Sequence, residues 1–246
     1  MFKIFNADLH IHTCLSPCSD LDMTPKRIIN EVKLKYLDII GICDHNSCEN
    51  VIITKEIANI QGIKVIGGIE ITSSEEVHIL ALFDNDEELL KLQEIVYENL
   101  DGINDEKAFG TQLVVNEHDE VVAHNKKLLI GATKLPVKKW VDLVHSLNGL
   151  VIASHIDREG FGIIGQLGFI PDDLKLDGLE ISPKITFKEA KVTINEANNF
   201  PVITGSDAHH LEDIGISFTR FLIKEPSVKE IKMALVGEEG RKILKS

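Results

Sequence analysis

Short runs rich in isoleucine and valine recur along the 246-residue chain and are separated by segments of helical period. That alternation is the mark of repeated β-α units, and it restricts the fold to an α/β class with a mostly parallel sheet. The expected strands are Lys3–His12, Leu37–Cys43, Lys64–Ile71, Val77–Phe83, Leu150–Ser154, Gly178–Ile181, Val202–Gly205 and Thr219–Ile223. Helices are expected at Val51–Asn59, Glu87–Asn99, Val137–Leu147 and Phe187–Asn198, with one more at each end of this series. The first follows Asp22, with Thr24 as N-cap, Pro25 at the first helical position, and Ile28, Ile29, Val32 and Leu37 on its apolar side. The last opens on Ser227 and Glu230, the spacing of a capping box. A barrel of about 250 residues is a standard use of this length, so residues 1–246 are expected to form one barrel domain.

The rhythm stops between Asn99 and Leu135. There Gln112–Val115 and Glu120–His124 flank the polar turn Asn116–Asp119, so 99–134 is expected to be an inserted hairpin. Loops of this length serve as lids or binding loops, or are tolerated surface insertions. The segment is the expected specificity element.

Charge narrows the partners. The formal charge of −13 opposes coating an extended nucleic acid or docking on an anionic membrane, and thirteen aromatic residues provide little for base-stacking platforms. No apolar run approaches a membrane span or a signal-peptide core, so a cytoplasmic location is expected. Cys14, Cys18, Cys43 and Cys48 are expected as free thiols, because their spacings do not make a clean zinc ribbon.

The ten histidines are not scattered. The first strand ends on Asp8-Leu-His10-Ile-His12, the second runs into Asp44-His45, and the third into Glu70. The fourth carries His78, the fifth ends at His155, and Val202-Ile-Thr leads to Asp207-Ala-His209. In a parallel barrel these points share the carboxyl-terminal rim, where barrel enzymes place their chemistry. Alternation along a strand puts His10 and His12 on one face, and Asp207 and His209 likewise if the strand continues that far. Asp8 has the same parity and is expected to accept the free ring N–H of a ligating histidine. Imidazoles and carboxylates without thiolates suit Zn, Mn or Fe, and this set suffices for two or three divalent ions with a bridging carboxylate. His118, His124, His145 and His210 fall elsewhere and are expected in ordinary surface or packing roles.

In order and spacing, His10-Ile-His12-Thr13, Cys43-Asp44-His45-Asn46, Gly68-Ile-Glu70, Glu76-Val-His78, Ser154-His155-Ile-Asp-Arg158 and Ser206-Asp207-Ala-His209 resemble the motifs of the PHP (polymerase and histidinol phosphatase) superfamily. Within it the chain is most similar to stand-alone metal-dependent phosphoesterases. The resemblance implies a distorted, TIM-like (β/α)7 barrel with metal ions at the carboxyl-terminal ends of the strands. It also implies that His10, His12, Glu70 and Asp207 hold one ion, that Glu70 bridges to a second held with His78 and His155, and that His45 and His209 with an acid hold a third. That acid is assigned to Asp20, with Asp22 as the competitor.

Such a site implies hydrolysis of a small phosphomonoester, or of a nucleotide or oligonucleotide-end phosphoester, by a metal-activated hydroxide. Asp207 and Arg158 are the expected catalytic residues, and Arg158 and Lys184 the expected phosphate binders through charge-assisted hydrogen bonds. Glu180 is expected as a supporting carboxylate, not a ligand. Cys14, Cys18 and Cys43 are expected near the rim as packing residues. Two other readings are an amidohydrolase-like C–N hydrolase and a non-catalytic metal-binding scaffold. The first is disfavoured because no lysine is placed for a bridging carbamate, the second because the ligand set is intact.

Overall fold

The computed structural model describes residues 1–244. In chain order the strands are β1 (Lys3–Ile11), β2 (Ile39–Ile42), β3 (Lys64–Thr72), β4 (His78–Phe83), β5 (Leu113–Val115), β6 (Val121–His124), β7 (Leu150–Ala153), β8 (Gly178–Ile181), β9 (Val202–Thr204), β10 (Thr219–Ile223) and β11 (Lys242–Leu244). The helices are α1 (Pro25–Leu34), α2 (Val51–Gln61), α3 (Asp86–Glu98), α4 (Glu106–Phe109), α5 (Val137–Ser146), α6 (Ile163–Leu167), α7 (Phe187–Thr193) and α8 (Val228–Val236).

One sheet runs β11-β10-β1-β2-β3-β4-β7-β8-β9. Just past β9, Ala208 pairs with Ile11 in parallel and brings the last of seven strands back onto the first. The result is a nearly closed seven-stranded barrel, with β10 and β11 added antiparallel outside β1. Leu9, Ile39, Ile66, Leu80, Leu82, Leu150, Ile152 and Ile203 fill the interior, and α8 joins this cluster through Val228, Ile231 and Leu235. A larger core built from Ile40, Ile42, Ile69, Ala81, Val151 and Leu179 packs with residues of the surrounding helices. Space inside is tight. A Cβ at Gly41 would collide with the Leu9 carbonyl.

Two backbone features depart from the expected parallel barrel, and both shape the rim. β4 pairs antiparallel with both β3 and β7. His78 therefore opens its strand, and the reversal brings it to the same rim as Glu70. The second feature is a register shift of β1 against β2 between Asp8 and Ile11. Ala7 and Leu9 belong to the inner cluster, then the slip turns His10 and His12 inward at the rim.

β5 and β6 pair antiparallel in a hairpin fixed by buried amides. Asn46 Nδ2 donates to the carbonyls of Leu129 and Gly131, Asn50 Nδ2 to that of Leu113, and Gln112 Nε2 to those of Asn125 and Lys127. Thr24 stands at the N-cap position of α1 without capping it; Asp119 of the hairpin turn accepts from the Lys26 N–H instead. Leu37, expected on α1, lies beyond its end. Ser227 caps α8, but Glu230 does not reciprocate, because its carboxylate is held by Nε and Nη2 of Arg241. The expected helix over Phe187–Asn198 breaks into α7 and a 3-10 turn.

Candidate metal centre

Glu70, at the end of β3, is 1% exposed and is surrounded by imidazoles. Its Oε1 lies 3.4 Å from His10 Nε2, 3.1 Å from His78 Nδ1 and 3.3 Å from His155 Nε2. Its Oε2 lies 3.4 Å from His12 Nε2 and 3.1 Å from His45 Nδ1. Asp207 Oδ1 approaches the same His10 and His12 nitrogens at 3.2 and 3.1 Å. Donor atoms lie within 4.8 Å of one another in three groups: His10, His12, Glu70 and Asp207; His45, Glu70 and His78; and His12, His45 and His209.

Hydrogen bonds on the far side of the rings set which nitrogen faces the centre. His10 Nδ1 lies 2.8 Å from Glu180 Oε2, a carboxylate that accepts its proton. His12 Nδ1 lies 2.9 Å from Ser16 Oγ. The Ser16 hydroxyl hydrogen is committed to Asp44 Oδ1 at 2.7 Å, so Ser16 accepts from His12. Asp44 is itself fixed by the Thr13 amide and hydroxyl, each at 2.7 Å. His209 Nδ1 donates to the Asp207 carbonyl at 2.8 Å. His10 and His12 are thereby left with Nε2 lone pairs facing each other at 3.1 Å, a repulsive pair unless a proton or cation sits between them and the carboxylates.

The electrostatics point the same way. Burial opposes charge on His10 and His12, yet Glu180, Asp207 and Glu70 raise His10 well above the usual imidazole range, and Asp207 and Glu70 take His12 to about 9. Burial would raise Glu70, but His78 and His10 hold it well below the carboxylate range. On the outer side, burial drives His78 down to about 4, and burial with the neighbouring His12 drives His209 down to about 3. Glu70 Oε1 is buried without a hydrogen-bond partner, as are His45 Nδ1 and His155 Nδ1. Neutral nitrogen donors, paired carboxylates and orphaned buried atoms suit divalent cations.

Several residues sit differently from the sequence-based expectation. Asp8 supports no histidine: its carboxylate accepts from the Ser206 and Gly215 amides, because the slip in β1 takes it out of the His10 face. Glu180 holds His10 instead. β9 ends at Thr204, so Asp207 and His209 are not presented by strand alternation. Asp207 turns inward through a left-handed backbone, φ 50°, and His155 and Asn46 use positive φ at their strand ends. Asp20 is not brought to the cluster: it is more than half exposed and pairs with His210 at 2.7 Å. Asp22 is also exposed and pairs with Arg27. Cys18, not either acid, lines the cavity beside His45. Cys14 and Cys43 are buried packing residues. His118, His124 and His145 lie against surface carboxylates, away from the centre.

Above the cluster opens a cavity of about 580 Å³, walled by Arg158, Lys184, Asp157, Phe161, Ile130 and the outer histidines. Arg158 Nη1 reaches Asp207 Oδ2 at 2.5 Å, and its side chain is one-third exposed. Ser16 and Phe161 carry no sequence signal of their own, since their roles depend on contacts between distant strand ends, and Asp44, which the motif does mark, fixes Ser16 and Thr13. No helix among the described residues is long and apolar enough to cross a membrane.

Comparison with known proteins fits this geometry. The chain is 28% identical over 106 residues to the uncharacterized protein YqxK of Bacillus subtilis, covering 41% of this chain and 27% of that one. It is 33% identical over 89 residues to the uncharacterized protein MJ1587 of Methanocaldococcus jannaschii, covering 33% and 52%. The matches thus span from about a quarter to half of these relatives' lengths. Among solved structures, the lesion-specific endonuclease PfuEndoQ of Pyrococcus furiosus shares the fold with a TM-score of 0.75 at 21% identity, over 98% of this chain and 58% of that one. A presumed metal-dependent phosphoesterase of Bifidobacterium adolescentis does so with a TM-score of 0.58 at 19% identity, over 86% and 91%. The model of the PHP-associated region matches residues 192–237, which include the rim residues Asp207 and His209. Because the PHP domain model spans residues 8–168, and so every rim histidine before β8 together with Glu70, the chain belongs to the PHP domain family.

Proposed function

We propose that this protein is a metal-dependent phosphoesterase acting on a small phosphomonoester, or on the phosphoester of a nucleotide or oligonucleotide end. The observation that carries the reading is Glu70: one buried carboxylate within 3.4 Å of five imidazoles, roofed by a cavity that presents Arg158 and Lys184. His10, His12, Glu70 and Asp207 would hold one divalent ion, Glu70 with His78 and His155 a second, and His45 with His209 a third. Zn, Mn or Fe suit these donors. Such ions supply a deprotonated water at neutral pH and positive charge for the phosphoryl oxygens.

The remaining work belongs to the chain. Arg158 is tied to Asp207 at one nitrogen and has further fork donors for a phosphate oxygen. Lys184 offers a second, mobile charge on the same wall. Glu180, Ser16 and the Asp207 carbonyl hold the tautomers of His10, His12 and His209, so that their other nitrogens face the centre without reorganisation. The acidic exterior disfavours long polyanions, while the cation-lined pocket favours a single phosphate.

Metal analysis followed by assay on parallel phosphoester and amide panels tests this. Bound divalent metal with phosphoester turnover, both abolished when His10→Ala is combined with Asp207→Ala, is the expected result. Turnover of amides alone would replace the reading with C–N hydrolysis. Stoichiometric metal with activity on neither panel would make the domain a scaffold.

A further inference from the structure

Phe161 combines three features that its surroundings do not require. Its backbone is left-handed, φ 62°, a conformation costly for a bulky aromatic, although glycine flanks it on both sides and would adopt it freely. It remains 41% exposed, on the wall of the cavity above Glu70. It is also tied twice to one residue of the centre. The Phe161 carbonyl accepts the His78 N–H at 2.9 Å, and its ring stacks on the His78 imidazole with centroids 4.5 Å apart and planes 24° apart.

A ring needed only to shield His78 would be buried. This one covers the imidazole with one face and leaves much of its remaining surface open, next to the two cations of the cavity, Arg158 and Lys184. Ile130, carried in from the hairpin insertion, adds a second apolar surface to the same cavity. Strain held in place beside a reactive centre points to function.

We propose that Phe161 is a stacking platform for the substrate's leaving group, and that this group is planar and aromatic: a nucleoside whose base lies on the Phe161 ring while its phosphate meets the cations. The proposal rests on the phosphoester reading above, and it makes Phe161 the specificity residue of that site. Stacking on an aromatic side chain is tolerant of base identity, so the preference is for a base and not for one particular base.

The test uses metal-loaded protein and two non-hydrolysable probes with related head groups, an adenosine 5′-phosphonate and methylphosphonate, measured by calorimetry. Phe161→Leu keeps apolar bulk over His78 but has no π face, and Phe161→Trp keeps the face. Phe161→Leu is expected to weaken the adenosine probe roughly 10- to 100-fold, the usual scale for one lost base stack. Methylphosphonate affinity and metal content should stay unchanged, and Phe161→Trp should restore adenosine binding. Equal weakening of both probes, loss of metal, or full adenosine affinity in Phe161→Leu would each overturn the platform. If wild-type protein prefers the adenosine probe in this way yet hydrolyses no phosphoester, the platform stands and the phosphoesterase reading fails.

Discussion

The inner histidines of the cluster, His10 and His12, are anchored behind the ring by Glu180 and by Ser16, and Asp44 in turn fixes Ser16. The outer ones, His78 and His155, have no such anchor among the described residues: His155 Nδ1 is buried without a partner, and His78 is positioned by Glu70 and by the Phe161 ring. Both pairs touch the same carboxylate, so the difference lies in preorganisation. An inner site whose rings already point correctly should bind its ion tightly. An outer site that must fix its rings on binding should bind more weakly and empty first.

The largest test removes what the two tiers share. Glu70→Gln keeps the shape but withdraws the charge among five imidazoles, and metal analysis should find both tiers depleted, with turnover lower by at least about 10²–10³-fold. Retention of a full metal complement would show that Glu70 does not join the tiers. Next, Glu180→Gln and Ser16→Ala each target an inner anchor, and competition against a chelator should show inner-ion affinity falling about 10- to 100-fold. His155→Ala should instead cost one outer ion and leave the inner one in place; an unchanged stoichiometry would remove His155 from the ligand set. A milder perturbation is Gly205→Ala, whose new Cβ would press on Glu180 Oε1 and shift the carboxylate from His10. It should lower inner-ion affinity by less than Glu180→Gln does. The smallest effect is expected of Asp20→Asn, because Asp20 faces His210 in solvent. Loss of an ion from that variant would restore the acid to the third position.

The strand positions were readable because isoleucine and valine runs bounded by polar turns fix where a strand lies to within a residue or two, as at Gly178–Ile181 and Thr219–Ile223. The rim histidines and Glu70 were readable for the same reason, since they stand at the ends of those runs or just beyond them. Direction is a different property. Composition does not record which way a strand runs, and β4 was placed among parallel neighbours. The signal was nonetheless present: five residues separate Thr72 from His78, far too few for a parallel crossover. The slip in β1 left no such trace, because it is fixed by pairing with a distant strand, and with it went the role assigned to Asp8. Support from Glu180 and Ser16, and the displacement of Asp20 by Cys18 at the cavity, likewise depend on which strand ends meet across the barrel.

The closure of the barrel gives the centre a mechanical meaning. β3 and β4 are joined by a ladder of six residue pairs, whereas the seam between the β9 end and β1 has the single pairing of Ile11 with Ala208 and the two backbone bonds around it. His10 and His12 stand on one lip of that seam, and Asp207 and His209 on the other. An ion gripped from both lips would act as a clasp on the thinnest join of the ring, tying residues nearly two hundred positions apart. Stripping the metal should therefore speed amide hydrogen exchange first along this seam, while the β3–β4 hairpin stays protected.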